Sequence, residues 1–231
     1  MATVILRPTA DSSLGHSCSS GSSGYALINE ATADDDSTYI YQTITGTSSS
    51  NVSSTFKLSS SEDIGKFKIV KFDIYVRTRT TKAKSNDSAS LTCSFYFSKI
   101  SGIQSGIQYT AVNLPTSYST MSWTRTASET EVTNDVYPNL SKLNASIAIR
   151  NVGAKDASKN DNFQNRTTQV YAVLEYEPVS ETTGTGIYIK SGGAFAEAQA
   201  AYKKVNGVWV QQTDIATLKT EMQSGKYKVS T

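Results

Sequence analysis

The sequence holds few of the residues that most enzyme chemistry needs. It contains one histidine, His16, two cysteines, Cys18 and Cys93, and four prolines. No second histidine can assist a nucleophile or share a metal, and Cys/His spacing for a zinc site is absent. Gly-x-Ser-x-Gly, Gly-x-Gly-x-x-Gly and the phosphate-binding Gly-Lys-Ser/Thr loop are all missing, so no motif points to acyl transfer or nucleotide binding. No hydrophobic run reaches the roughly 20 residues of a membrane-spanning helix. The opening MATVILRPTADSS lacks the basic start and apolar core of a secretory signal, so synthesis and retention in a cytoplasm, or release by lysis, is expected. Charge is also sparse: 22 Lys+Arg against 20 Asp+Glu leave a net +2, which calls for neither nucleic acid nor an anionic membrane. Cys18 lies in the loop-like GHSCSSGSSG. Cys93 shares a face with Leu91, Phe95 and Phe97 and reads as a buried thiol, so no Cys18–Cys93 disulfide is expected.

What the chain does have is Ser, Thr, Asn and 13 tyrosines, a composition that favours strands. Period-two patterning recurs along it. TVILRPT opens as a strand, with Pro8 suggesting an edge or an end. In TYIYQTIT, Ile40, Gln42 and Ile44 face one way, and Tyr39, Tyr41 and Thr43 the other. STFKLS offers Phe56 and Leu58. In KIVKFDIYVRTRT, Val70, Phe72, Ile74 and Val76 point inward, and Lys71, Asp73, Tyr75, Arg77 and Arg79 outward. LTCSFYFSKI, STMSWTRT, ASIAIRN and TTQVYAVLEYEP complete about eight strands. SGIQSGIQ reads as part of a loop-rich stretch, the segment before ASIAIRN as holding one helical turn, and RNVGAKDASKNDNFQNRT as a long exposed loop. Strands with one apolar face predict an all-β fold: an antiparallel β-sandwich of jelly-roll type over residues 1–178.

A flexible linker is expected at 179–186 and a small unit at 187–231. That unit repeats itself at a spacing of fourteen residues: YIKSGGAFAEA is followed by YKKVNGVWVQQ. Gly192-Gly193 and Asn206-Gly207 suit two-residue type I′ turns, which place Lys190 opposite Phe195 and Lys204 opposite Trp209. These four residues are the candidates for attachment or assembly. TDIATLKTEMQSGKY spaces Ile215, Leu218 and Met222 as one face of a short helix. The unit is too small for a core of its own, so it is expected to dock on the sandwich, a neighbouring copy or a larger partner.

Four groups merit a chemical reading. Asp34, Asp35 and Asp36, with Glu30 nearby, could supply oxygens to a Ca²⁺ ion, although the Asp-x-Asp-x-Asp-Gly spacing is absent; alternatively their side chains bind backbone N–H groups and start the turn before STYIYQTI. Tyr39, Tyr41 and Trp123, with Tyr75 and Tyr118, are candidates for stacking on a glycan, against the plainer role of tyrosine on a strand exterior. His16 reads as a polar loop residue, and Arg77, Arg79, Lys82 and Lys84 as a solvated strand end. No catalytic residue, and apart from the possible Ca²⁺ no cofactor, is expected.

Leu6, Arg7, Pro8, Ala10 and Asp11, followed by Ala26, Ile28, Asn29, Glu30, Ala31, Asp34, Asp35, Tyr39 and Ile40, resemble the opening of a group of phage and prophage jelly-roll proteins. These begin with an L-R-P-x-A-D segment and continue with an A-x-I-N/D-E-A-x-x-D-D stretch. VYAVLEYEP resembles the closing strand of the same module, and AYKKVNGVWVQQTD is similar to C-terminal hairpins on virion proteins of phages infecting Firmicutes. The resemblance implies a non-enzymatic virion structural protein, made in a bacterial cytoplasm. It would serve in capsid decoration, a head fibre or the tail, with other virion proteins and copies of itself as partners. Host-surface glycans are a further possible ligand. Because no long coiled coil or fibre repeat is present, capsid decoration is favoured over a tail shaft.

Overall fold

A computed structural model describes the chain apart from residues 83–85, 101–103, 129–134, 158–160, 180–187, 192–193, 198–201, 206–207 and 212–231. It divides into two compact units, Met1–Val179 and Ser180–Thr231. In the first unit the strands are β1 (Ala2–Leu14), β2 (Ser17–Cys18), β3 (Ile40–Ile44), β4 (Ser50–Ser59), β5 (Phe67–Thr80), β6 (Ser88–Ser98), β7 (Gln104–Val112), β8 (Ser119–Thr126), β9 (Val136–Tyr137), β10 (Ser146–Ala154) and β11 (Phe163–Pro178). Short 3-10 turns lie at Tyr25–Leu27 and Leu140–Leu143.

All pairings are antiparallel. One sheet runs β8–β5–β11; the far edge of β11 carries β3 beside its start and the first half of β1 beside its later residues. The other runs from the second half of β1 through β4, β10 and β6 to β7. β1 therefore belongs to both sheets, and Pro8 sits at the crossing, beside a register shift between Pro8 and Ala10. The proline marks a sheet switch rather than a strand end, because the lost N–H is tolerated where the ladder is irregular.

The two inner faces make one core. β5 contributes Phe67, Ile69, Phe72, Ile74 and Val76, β11 Val170, Ala172 and Leu174, β6 Leu91, Cys93, Phe95 and Phe97, and β10 Ile147 and Ile149, all buried. Phe72 bridges the sheets, with its ring centroid 4.7 Å from Phe95 and 5.1 Å from Phe97. The alternation read from the sequence holds for β3, β6 and β11. It slips on β5: the pairing jumps from Lys71↔Glu175 to Ile69↔Tyr176, a bulge that turns Ile69 inward and leaves Val70 half-buried.

Two further expectations are corrected. Within SGIQSGIQ, residues 104–108 are strand rather than loop, because Gly106 lies opposite Tyr96 and leaves room for its ring: a Cβ there would come within 2.6 Å of it. The long loop after ASIAIRN is shorter than expected, because β10 runs through Ala154 and β11 begins at Phe163, which is buried.

The second unit contains two hairpins, β12 (Tyr188–Ser191) with β13 (Ala194–Glu197) and β14 (Tyr202–Val205) with β15 (Val208–Gln211). Their registers pair Lys190 with Phe195 and Lys204 with Trp209, as the repeat implies. Val179, placed in the expected linker, belongs to the first unit and donates its N–H to the Lys66 carbonyl at 2.8 Å, whereas linker residues 180–186, the turn residues and the expected helix fall outside the described residues.

Candidate functional site

Several of the residues that carry the resemblance, Arg7, Asp11, Glu30, Asp34 and Asp35, meet at one structural feature. Segment 28–39 is strapped across the outer face of the β5–β11 sheet. Its entrance is set from β1. Both carboxylate oxygens of Asp11 accept backbone N–H donors, from Gly24 at 3.0 Å and Tyr25 at 2.7 Å, and so cap the 3-10 turn. Arg7 donates to the Glu30 carbonyl, and Gln169 on β11 donates to the same oxygen at 2.8 Å. Ile28 is buried, and its carbonyl accepts from the Val170 N–H at 2.9 Å. The strap is thus joined to β11 where that strand's register shifts between Thr167 and Gln169.

The three aspartates then diverge. Asp34 folds back on its own turn, accepting from the Thr38 N–H at 3.0 Å and from the Thr38 hydroxyl. Asp35, at a left-handed φ of 54°, forms a two-pronged pair with Arg77 at 2.6 and 2.8 Å. Hydrogen bonding to Arg77 holds its carboxyl below the usual range. Asp36 accepts from Arg79 at 2.9 Å, Arg166 at 2.7 Å and the Tyr118 hydroxyl at 3.2 Å. The guanidinium of Arg79 also lies over the Tyr118 ring, 4.8 Å from its centroid, and that of Arg166 over Tyr39 at 4.5 Å. Burial, then the neighbouring Asp36, pushes the Tyr118 phenol up to about 12.

The Ca²⁺ candidates Asp34, Asp35 and Asp36 thus point to different partners: Asp35 and Asp36 meet guanidinium groups and Asp34 meets Thr38, and among the described residues no three His, Cys, Asp or Glu side chains converge as metal ligands. Arg77 and Arg79 are correspondingly not a free solvated strand end. Three acids in one loop and outward arginines at alternate positions of β5 were the available signal. The register that brings them together was not.

Each ion pair is partly exposed and individually weak. The strap as a whole depends on several of them acting with the backbone bonds. Arg77→Ala is expected to lower global stability by about 1 kcal/mol or less. Its larger expected effect is on local opening: faster amide exchange and proteolytic cleavage within 31–38. Unchanged exchange there would show that the Arg77–Asp35 pair is not needed to hold the strap.

Of the aromatic candidates, Tyr39 and Tyr118 belong to the strap, and the others lie apart from it. Tyr39 and Tyr41 are half-buried neighbours with ring centroids 5.7 Å apart. Trp123 is not an outer platform. It shares the inward side of β8 with Met121 and stacks on Tyr109 of β7, with centroids 5.5 Å apart, closing the seam between the two sheets. Tyr75 and Tyr171 stack across β5 and β11 at 4.7 Å.

His16 is not the polar surface residue expected from its Gly/Ser-rich surroundings. It is 4% exposed, with Nδ1 2.7 Å from the hydroxyl of the fully buried Ser54. Burial lowers its pKa to about 4. A Ser/His contact enclosed in this way has no access to a substrate. Both cysteines are free, and burial pushes the Cys93 thiol up to about 12, so it is chemically inert.

The fold is an antiparallel β-sandwich. No family model matches the sequence, and no curated protein matches it. Among solved structures, the chain is similar to a family 16 carbohydrate-binding module at 7% identity and a TM-score of 0.31, covering 58% of this chain and 75% of that one. It is similar to the enzymatically active domain of tailspike protein 4 of bacteriophage CBA120 at 12% identity and a TM-score of 0.34, covering 75% of this chain and 19% of that one. For infectious bursal disease virus Gx strain the values are 15%, 0.25, 67% and 43%. Likenesses of this strength assign neither a family nor an activity.

Proposed function

We propose that this chain is a non-enzymatic structural protein on the surface of a bacteriophage particle, acting in capsid decoration or as part of a head fibre. The observation that carries the reading is the strap. The L-R-P-x-A-D and A-x-I-N-E-A-x-x-D-D residues, which resemble those of phage and prophage jelly-roll proteins, are here spent on fixing a loop to a sheet. Arg7, Asp11, Asp35 and Asp36 hold backbone or arginine partners. In this reading the hairpins carrying Lys190, Phe195, Lys204 and Trp209 attach the sandwich to other virion proteins or to further copies of the chain. No resident cofactor is required. Quantitative mass spectrometry of purified, salt-washed particles tests it: the chain should be present in a fixed copy number relative to the major capsid protein. Absence from washed particles overturns the reading.

A tail-associated position or an adhesive role toward host-surface glycans is the second reading. It is favoured by the half-exposed Tyr39–Tyr41 pair beside Arg166. Glycan-array binding that Tyr41→Ala abolishes while the melting temperature is kept would support adhesion. Trp123→Ala, by contrast, is expected to act through the sheet seam and lower the melting temperature.

A further inference from the structure

Five side chains enclosed in one half of the sandwich keep polar atoms without a partner among the described residues: His16 Nε2, Gln42 Oε1, both amide atoms of Asn151, both amide atoms of Asn165, and Thr167 Oγ1. His16 and Gln42 are each 4% exposed, and the other three are 0% exposed. Such groups are nearly always hydrogen-bonded in folded proteins, and leaving all of them unpaired would consume much of a domain's stability.

The pairing places them together. On one sheet Gln42 lies directly opposite Asn165, and Ile40 opposite Thr167. On the facing sheet Asn151 is two residues from Gly153. A Cβ on Gly153 would come within 2.9 Å of the Ile44 side chain, so this end of β10 lies face to face with β3. Gln42 already reaches across the gap, donating to the Ser50 hydroxyl at 3.3 Å. His16 closes the side: its neighbour Ser17 pairs with Tyr41 on β3, and its ring is tied to Ser54 on β4.

The hydrogen-bonding character of the group selects its guest. The Ser54 hydroxyl oxygen accepts the N–H groups of Gly15 at 3.0 Å and His16 at 3.1 Å, so its own hydrogen is directed to Nδ1 of His16. The imidazole proton is then on Nε2, which is a donor. The two asparagine NH₂ groups are donors, the three amide oxygens are acceptors, and the Thr167 hydroxyl is either. None carries a formal charge. A cation would need oxygens alone, and an anion donors alone. Water does both, and each buried water needs two to four such partners.

We propose that this region is a hydrated internal chamber in which a small cluster of structural waters links Asn151 on one sheet to Gln42, Asn165 and Thr167 on the other, with His16 at its edge. The chamber fixes the spacing of the sheets where the apolar core gives way to polar residues. Two measurements on the wild-type chain test it. A crystal structure at about 1.5 Å should show ordered waters bonded to both asparagine amides. In solution, the Asn151 and Asn165 side-chain NH₂ protons should give NOEs to long-lived water. Direct pairing of the two amides with each other or with backbone overturns the proposal, as does a cation coordinated only by oxygens, or the absence of water NOEs.

Discussion

Phe72→Ala should lower the unfolding free energy by about 4 kcal/mol, among the largest effects of any single truncation in the sandwich. Phe72 is fully buried on β5 and meets Phe95 and Phe97 of the opposite sheet. Removing its ring forfeits apolar burial and opens a cavity at the point where the sheets meet. The strands around it are held by their ladders and have little freedom to collapse into the space. Urea unfolding of the first unit, read by tyrosine and tryptophan fluorescence, measures the change. Phe72→Leu should recover more than half of it. A loss near 1 kcal/mol for the alanine variant would mean that the sheets are not packed through this cluster.

His16 should make stability fall as pH drops from 6.5 to about 4. Its folded pKa is about 4, lowered by burial, against 6.5 for the ordinary group. Above pH 6.5 both folded and unfolded chains hold it neutral, and it contributes no pH dependence. Between the two values the unfolded chain binds a proton that the folded chain refuses. Stability therefore declines by about 1.4 kcal/mol per pH unit, roughly 3 kcal/mol in all. Below pH 4 the folded state protonates too and this contribution stops changing. Unfolding at pH 7.5, 6, 5 and 4.5 measures the slope, and His16→Gln, which removes the titrating group, should flatten it. A wild-type slope that His16→Gln leaves unchanged would place the titration elsewhere.

The sandwich was legible in the sequence because burial on one side of a strand imposes period two directly. β3, β6 and β11 could be assigned faces residue by residue, and the hairpin registers followed from Gly-Gly and Asn-Gly. The errors share a cause, namely that they depend on a partner remote in sequence. The Val70 bulge is set by how β11 pairs with β5. The strand at residues 104–108 depends on Tyr96 filling the space above Gly106. Pro8 falls mid-strand because β1 changes sheets there. The candidate site shows the same limit. The acids of 34–36 were visible as a cluster, but their arginine partners lie on β5 and β11, and local pattern does not say which outward side chain faces a distant loop. His16 was misplaced because a Gly/Ser-rich segment suggests solvent, whereas here it lets the backbone approach β4 closely enough to bury the ring. Gln42 between Ile40 and Ile44, and Asn151 in register with Ile147 and Ile149, were sequence signs of the polar interior.

An electron cryomicroscopy map of the intact particle tests the central claim most directly. The account predicts sandwich density fitting Met1–Val179 at repeated, symmetry-related positions on the outer surface, with the strap ordered. Particles whose map accounts for every surface density without this chain would contradict it.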